Sequence, residues 1–298
     1  MTKEVSIMEE NLLDLKHRLY EILQSNKAPK WWPELKKDVE LYIEIRKGNI
    51  LDVYYQGGRM AEIKYNNSTQ NITVTTHPKY LGYDNEYKED ENYYKKSIKK
   101  DGTIEYVPIY QDCQEWLLNK KEELKANIRK HYSGDKDGEK TSEKFIQGEL
   151  IINGRDKYLD SEFAHCFYVG DRNTIRIDMV KIEDGRVVFE ELKRIGDARL
   201  RTSKGDPEII TQMNNYRIFL EKNKGVLTNY YRTLYKIKKH LGLPVPKVDD
   251  VEKITVDPEP QLIIAHNYEK MGNKREERIK AIETALLNID IKPIFLKS

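Results

Sequence analysis

The chain has 298 residues, and 52 lysines and arginines against 50 aspartates and glutamates leave a net charge of only +2. This balance excludes a charge signature for nucleic acid or membrane binding over the whole chain, so any such surface must be local. The chain has two cysteines, Cys113 and Cys166, which excludes a disulfide framework and a four-cysteine zinc site. The acidic start and the lack of any run approaching roughly 20 apolar residues predict a cytoplasmic protein with no membrane partner.

Residues 1–132 are predicted to form a small α+β domain. One amphipathic helix is predicted over the first 25 positions, because apolar residues recur there at helical spacing: Ile7, Leu12, Leu15, Leu19 and Leu23. From Val39 to Thr76, short β-rich runs separated by polar turns predict an antiparallel meander. Residues 83–104 are dense in charge and tyrosine and predict an exposed or mobile loop, and residues 110–132 predict a helix.

Residues 140–298 are predicted to form a second, mixed α/β domain. The polar, glycine-containing run Ser133–Gly138 has the composition of a domain junction. The elements predicted after it are a helix at 142–153, strands at 158–169, 174–183 and 186–195, a helical stretch from Pro207 to Leu241 with a break at Gly225, a proline-rich linker at 243–260, and a final strand, helix and strand.

The most informative segment is the hairpin predicted around Asp184-Gly185, a strong signal for a two-residue turn. Pairing around this turn places Asp178 opposite Glu191 and Arg176 opposite Lys193, all on one face. Two opposed carboxylates repel each other, and a divalent cation bound by both is the simplest compensation. Lys193 would then hold an attacking water or neutralise charge developing on a phosphate. A solvated salt network of the same four residues is the alternative.

A second hairpin, with Gly57-Gly58 as its predicted turn, contains a similar set of residues. There the predicted register places Glu62 opposite Val53 and leaves Asp52 on the other face of the sheet. We therefore expect Asp52, Glu62 and Lys64 not to form a second site, unless a bulge changes the register.

These residues resemble the PD-(D/E)XK nuclease superfamily over about residues 140–298. The pieces that carry the resemblance are an acid on one strand, Glu-x-Lys on the next and Gln-x-x-x-Tyr on the following helix, here Asp178, Glu191-Leu192-Lys193 and Gln212 to Tyr216. The resemblance implies a restriction-endonuclease-like mixed sheet flanked by helices. It also implies that Asp178, Glu191 and the Leu192 carbonyl bind Mg²⁺ or Mn²⁺, and that Lys193 orients or activates water. Ile177 stands where the family name has proline.

The family also has a glutamate on the preceding helix, and three residues are candidates for it. Glu143 ranks first, although its place in the first turn suits helix capping equally well. Glu149 and Glu162 are the others. In similar nucleases the glutamine lies beside the catalytic cluster and helps to place the substrate backbone, so the resemblance extends to Gln212 and, more weakly, to Tyr216.

Local charge and aromatic content point to an anionic substrate. From Lys193 to His240 there are 12 lysines and arginines against four acids, a local net charge of +8. Arg199 and Arg201 are the candidate phosphate contacts, whereas Arg232, Lys236, Lys238 and Lys239 suit a solvated helix face equally well. Eleven of the chain's 20 tyrosines lie between Tyr42 and Tyr110, where base stacking, partner binding and ordinary strand packing all remain open.

The leading hypothesis is a metal-dependent endonuclease, with DNA expected ahead of RNA, serving restriction, phage defence or repair. The N-terminal domain is the candidate surface for substrate, for an activating partner or for a homodimer. The rival hypothesis is a nucleic-acid-binding or interaction module that keeps the nuclease fold without turnover, and intact Asp178, Glu191 and Lys193 argue against it.

Overall fold

A computed structural model describes residues 4–10, 12–132, 142–168, 174–201, 205–266 and 270–297. The chain forms two compact units. The N-terminal unit consists of Leu13–Ile152 and His240–Leu243, and the C-terminal unit of Met1–Leu12, Asn153–Lys239 and Pro244–Ser298. These limits differ from the predicted domains of 1–132 and 140–298, and the predicted junction Ser133–Gly138 lies outside the described residues.

The N-terminal unit contains the predicted antiparallel meander. Its strands are β1 (Leu41–Arg46), β2 (Ile50–Tyr55), β3 (Gly58–Asn66), β4 (Asn71–Thr76), β5 (Tyr94–Ile98), β6 (Ile104–Pro108) and β7 (Gln111–Asp112). Five of them form one antiparallel sheet in the order β1-β2-β3-β4-β7, and β5 and β6 form a separate hairpin. Residues 83–104, expected as a loop, therefore include a complete strand and the start of its partner.

Five helices pack with this sheet: α1 (Arg18–Gln24), α2 (Trp31–Lys37), α3 (Gln114–Asn119), α4 (Lys121–Tyr132) and α5 (Glu143–Asn153). The helix predicted over residues 110–132 is divided at Lys120, which caps α3. Ser142 caps α5 as predicted, because its Oγ accepts a hydrogen bond from the Phe145 amide at 3.1 Å.

The helix predicted over the first 25 residues is present only from Arg18 onward. Val5 instead forms an antiparallel bridge with Tyr168, and the Met8 amide donates to Asn223 Oδ1 at 2.7 Å. These backbone groups bond to the C-terminal unit, to which they belong, and cannot at the same time form the turns of a helix. The apolar spacing of Ile7 and Leu12 was therefore misleading.

The β2–β3 hairpin does not have the predicted register. Its two-residue turn is Gln56-Gly57, with φ of 46° and 78°, and a bulge lies where the pairing shifts between Val53 and Tyr54. As a result Asp52 pairs directly with Glu62, so the prediction that they lie on opposite faces was wrong.

The C-terminal unit is built on a mixed sheet of six strands with two helices. Its elements are β8 (Tyr158–Cys166), β9 (Thr174–Glu183), β10 (Arg186–Arg194), α6 (Glu208–His240), β11 (Thr255–Val256), β12 (Gln261–His266), α7 (Asn273–Leu287) and β13 (Ile294–Lys297). The sheet order is β13-β12-β10-β9-β8, with β11 also paired to β10. Strands β8, β9 and β10 are antiparallel, and β10, β12 and β13 are parallel, which makes the chain mixed α/β as predicted.

Helix α6 continues through Gly225 without the predicted break. Gly225 is exposed, whereas the buried side chains on either side of it include Leu220 and Leu227. Burial of this apolar stripe outweighs the cost of one glycine in a helix, about 1 kcal/mol. No helix in the described part of the chain has both the length and the apolar character needed to cross a membrane.

Helix α5 packs against the β2–β3 turn at backbone distance. A Cβ added at Gly148 would lie 2.7 Å from the Gly57 amide nitrogen and 3.0 Å from the carbonyl carbon of Gln56. Only glycine allows such a close approach. The contact holds α5 against the sheet of the N-terminal unit, to which its residues up to Ile152 belong.

We expect Gly148→Ala to destabilise the protein by about 2 kcal/mol, although alanine is the better helix former, because the added methyl group would collide with the turn. Gly225→Ala is the matched control, since nothing lies within 4 Å of its added Cβ, and it should stabilise by about 0.5–1 kcal/mol. Urea unfolding of both variants measures the difference, and equal effects would rule out the close packing of α5.

Burial, together with the smaller effects of the charges of Lys79, His131 and Arg59, lowers the pKa of His77 to about 4. The neutral ring accepts a hydrogen bond from the Lys79 amide at Nδ1 (3.2 Å) and caps the short helix Pro78–Leu81. In the unfolded chain the ring binds a proton with the ordinary histidine pKa of 6.5, so protonation favours unfolding at lower pH.

This contribution should therefore be complete above pH 6.5 and be lost as the pH falls through the folded pKa of about 4. Allowing for the partial exposure of His77, we expect a loss of about 1–2 kcal/mol. The free energy of unfolding measured at both ends of this range should fall less in His77→Asn, which keeps a capping acceptor. Identical pH profiles for the two proteins would contradict the assignment.

Candidate functional site

The predicted register of the β9–β10 hairpin is confirmed up to the point where the strands diverge. Arg186 pairs with Glu183 and each following pair matches, as far as Glu190 with Met179. Beyond that pair, the Leu192 amide donates to the Asp178 carboxylate at 2.9 Å, so a side chain replaces the next backbone partner. The strands thus open at Asp178, while β10 continues to pair with β12.

Glu191 and Lys193 lie on one face of β10 and are each only 2% exposed. The Lys193 ammonium group contacts Glu191 Oε1, bonds the Leu192 carbonyl at 2.8 Å and lies 3.9 Å from Asp178 Oδ2. One cation is therefore surrounded by two carboxylates and a carbonyl. These are the oxygen groups that the sequence resemblance assigns to a metal.

Helix α6 holds Glu191 from the other side. Gln212 Nε2 donates to Glu191 Oε1 and to the Tyr216 hydroxyl, both at 2.6 Å. The Tyr216 hydroxyl in turn lies 3.0 Å from Glu191 Oε2 and contacts the Arg176 carbonyl. The structure thus brings Gln212 and Tyr216 to the predicted cluster, whereas the side chain of Arg176 is exposed.

Burial is the main reason why the pKa of Glu191 is raised to about 7, and the negative charge of Asp178 adds to it. The contacts with Lys193 and Tyr216 lower the pKa and only partly offset that effect. A further cation beside Glu191 would favour its ionised form. Burial and the charge of Glu191 also raise the pKa of Tyr216, whose hydroxyl therefore keeps its proton.

The opposite face of β10 carries an ion pair that sequence reasoning missed. Glu190 is 2% exposed, and its carboxylate bonds Lys181 at 2.9 Å and the Tyr158 hydroxyl at 3.0 Å. The hairpin register could have revealed Lys181, which pairs with Val188 and is therefore a diagonal neighbour of Glu190. Adjacent glutamates in β10 thus have different environments.

The three candidate glutamates are divided between the two units. Glu143 begins α5 and Glu149 lies further along it, both in the N-terminal unit. Glu162 lies in β8, where the neighbouring pairs of the ladder place it across from Asp178. Its φ of 51° is left-handed, which is uncommon for glutamate and locally strained. Within the C-terminal unit, Glu162 is the candidate nearest in register to the cluster.

The two predicted phosphate contacts are placed differently. Arg199 forms a two-pronged ion pair with Asp197, at 3.0 Å and 2.7 Å, and this contact lowers the pKa of the carboxyl group. Arg201 is exposed, and one of its guanidinium nitrogens donates to the Gly196 carbonyl at 2.8 Å. Arg201 therefore presents more of its charge to solvent than Arg199 does.

The basic excess of α6 is partly neutralised by the proline-rich linker. Glu252 lies 2.5 Å from Lys236 and 3.9 Å from Arg232. Lys238 is buried and donates to the Leu159 carbonyl at 2.6 Å. Lys238 thus contributes to packing, and Arg232 and Lys236 are ion-paired with Glu252, which favours the structural interpretation for these three of the four basic residues. Lys236 and Lys239 are both exposed.

The β2–β3 hairpin also brings two acids to one face, contrary to prediction. Asp52 pairs with Glu62, and it lies 3.4 Å from both Arg46 and Arg59. Arg59 also bonds Glu62 at 2.9 Å, and Lys64 contacts Glu62 as well. Each carboxylate there has a guanidinium partner, whereas Asp178 and Glu191 share the ammonium group of Lys193. Charge compensation, rather than register, distinguishes the two hairpins.

The donor set at Asp178, Glu191 and Leu192 fits a hard divalent cation, because all three contribute oxygen and already enclose a positive charge. Among the described residues, no three His, Cys, Asp or Glu side chains are grouped to hold a metal. A metal here would accordingly have two carboxylates and a carbonyl as protein ligands.

Comparison with known protein families, with curated proteins and with solved structures found no match for this chain.

Contact between Lys193 and Glu191 can be tested independently of any activity. We expect Lys193→Met to destabilise the protein by about 3 kcal/mol, because Glu191 would lose its buried cation. In the double variant with Glu191→Gln, the loss should be smaller than the sum of the single losses by about 1–3 kcal/mol. Urea unfolding of the three variants gives this coupling energy, and additive losses would refute the contact.

Proposed function

We propose that this chain is a metal-dependent endonuclease that hydrolyses phosphodiester bonds, with DNA ahead of RNA as substrate and a restriction-endonuclease-like C-terminal unit. The observation that carries the proposal is the group of oxygens from Asp178, Glu191 and Leu192 around the Lys193 ammonium group. A set of acids that surrounds a lysine ammonium group suits phosphoryl transfer, where positive charge must stabilise the negative charge on the phosphoryl oxygens of the transition state.

Asp178, Glu191 and the Leu192 carbonyl would hold Mg²⁺ or Mn²⁺. When bound, the ion supplies a Lewis acid for a phosphoryl oxygen and lowers the pKa of water.

The remaining groups position these ligands. Gln212 and Tyr216 fix the two oxygens of Glu191, and the Leu192 amide fixes Asp178. Lys193 would hold the attacking water or neutralise charge on the phosphate. The water oxygen forms a bond to phosphorus, an ester oxygen leaves and takes up a proton, and the water gives up a proton. The products are a phosphomonoester and an alcohol.

We propose that this activity serves restriction, phage defence or repair. These processes follow from the resemblance of Asp178, Glu191-Leu192-Lys193 and Gln212 to the nuclease motif.

Cleavage of supercoiled plasmid, linear DNA, single-stranded DNA and structured RNA should be measured with Mg²⁺, with Mn²⁺ and with EDTA. We expect cutting that needs the metal and that falls at least about 100-fold in Lys193→Ala and Asp178→Ala, because each removes a group that stabilises the transition state. Asp52→Asn is the matched control from the β2–β3 hairpin and should cut at close to the wild-type rate.

Loss of cutting in folded Asp52→Asn, with activity retained in Lys193→Ala, would place the chemistry in the β2–β3 hairpin instead. Binding of nucleic acid without cutting of any of these substrates would favour the rival binding module.

A further inference from the structure

The β5–β6 hairpin is an ordered ribbon of two strands. It pairs Tyr94 with Pro108 at its base and Ile98 with Ile104 near its tip. The connecting turn is closed by hydrogen bonds of 2.9 Å from the Lys99 amide to the Thr103 carbonyl and from the Gly102 amide to the Lys99 carbonyl. The ribbon therefore has a defined shape up to its tip.

Beyond its base, where Tyr94 is buried, this ribbon has exposed side chains on both faces. Lys95 and Val107 form an exposed pair on one face, and on the other Ile98 and Ile104 are 69% and 50% exposed. Isolated two-stranded ribbons are marginally stable in water, and exposed apolar groups on them indicate a contact surface.

The charge of the ribbon favours an anionic occupant. The ribbon and its turn contain four lysines and two acids, namely Lys95, Lys96, Lys99, Lys100, Asp101 and Glu105. Lys99 pairs with Glu105 at 3.2 Å. Lys95, Lys96 and Lys100 are exposed and have no ion-pair partner within the described part of the chain. Three exposed ammonium groups on one short ribbon are suited to phosphates.

We propose that this ribbon, β5 and β6, enters the major groove of duplex DNA. The five-pair ribbon is about 17 Å long at about 3.4 Å per residue, and its strands are about 4.8 Å apart, so with side chains it suits a groove about 12 Å wide. Lys95, Lys96 and Lys100 contact the phosphates, and Ile98 and Ile104 are the apolar contacts for thymine methyl groups.

The choice of DNA rests on the proposed function, and the ribbon narrows the substrate to duplex DNA. Double-stranded RNA is disfavoured because its major groove is too deep and narrow for protein elements to read.

The test is the affinity of the full chain for a fluorescent DNA duplex, measured by anisotropy in EDTA so that cleavage plays no part. The ribbon variant is Lys95→Gln/Lys96→Gln/Lys100→Gln. The control, Lys16→Gln/Lys27→Gln/Lys30→Gln, removes the same charge from other exposed lysines of the N-terminal unit. We expect the ribbon variant to raise Kd at least about tenfold and to reduce the salt slope by about 2–3, with the control near wild type and all three proteins unfolding at the same temperature.

Equal losses in both variants, wild-type affinity in the ribbon variant, or no duplex binding by the wild type would each overturn the proposal. So would equally tight, lysine-dependent binding of duplex RNA. A changed oligomeric state with unchanged DNA binding would identify the ribbon as a protein interface instead. Ribbon-dependent binding without cleavage in Mg²⁺ would refute the proposed function alone, and cleavage with ribbon-independent binding would refute the ribbon alone.

Discussion

A carboxylate and an ammonium group in a central strand must find partners inside the protein, because an unpaired buried charge costs several kcal/mol. Glu191 and Lys193 impose this requirement on β10, which is flanked by β9 and β12. The partners come from separate elements: Asp178 from β9, and Gln212 and Tyr216 from α6. The polar contacts that assemble the candidate site are thus the same contacts that fix α6 and β9 against β10.

The two hairpins show how far register could be predicted from sequence. Asp184-Gly185 has φ of 49° and 74°, the left-handed pair that Asp-Gly signals reliably. The turn at Gln56-Gly57 has the same geometry, but glutamine is an unusual first residue, and the neighbouring Gly58 suggested a turn one residue later. A turn one residue earlier shifts every predicted partner by two residues, so each side chain would stay on its predicted face of the sheet. The bulge after Val53 shifts the partners by one residue and thereby brings Asp52 and Glu62 to the same face. No turn residue signals that bulge.

Contacts between distant segments account for the other differences. Nothing near Gly148 in the sequence indicates that it touches Gly57, so α5 was assigned to the wrong side of the domain boundary. Likewise the positive charge of α6 could be counted, but the position of Glu252 against it could not. Most strands and helices of the C-terminal unit were predictable because they have a clear apolar period and clear ends. The two-residue strand β11 instead lies in the predicted linker, and α6 lacks the predicted break at Gly225. Charge partners are set by packing, which a single sequence does not show.

The discontinuity of both units bears on how the protein acquires its fold during synthesis. The N-terminal unit includes residues 240–243, where the Leu241 carbonyl accepts a hydrogen bond from Lys36 at 3.2 Å. The C-terminal unit begins with residues 4–10 and ends with β13. On the ribosome, the segment around Val5 must wait for Tyr168 and Asn223, and Lys193 in β10 must wait for its neighbour Ile264 in β12. A chain released before β12 is made therefore cannot hold Glu191 and Lys193 in their final places, so the order of synthesis itself delays assembly of the candidate site until β12 has been synthesised.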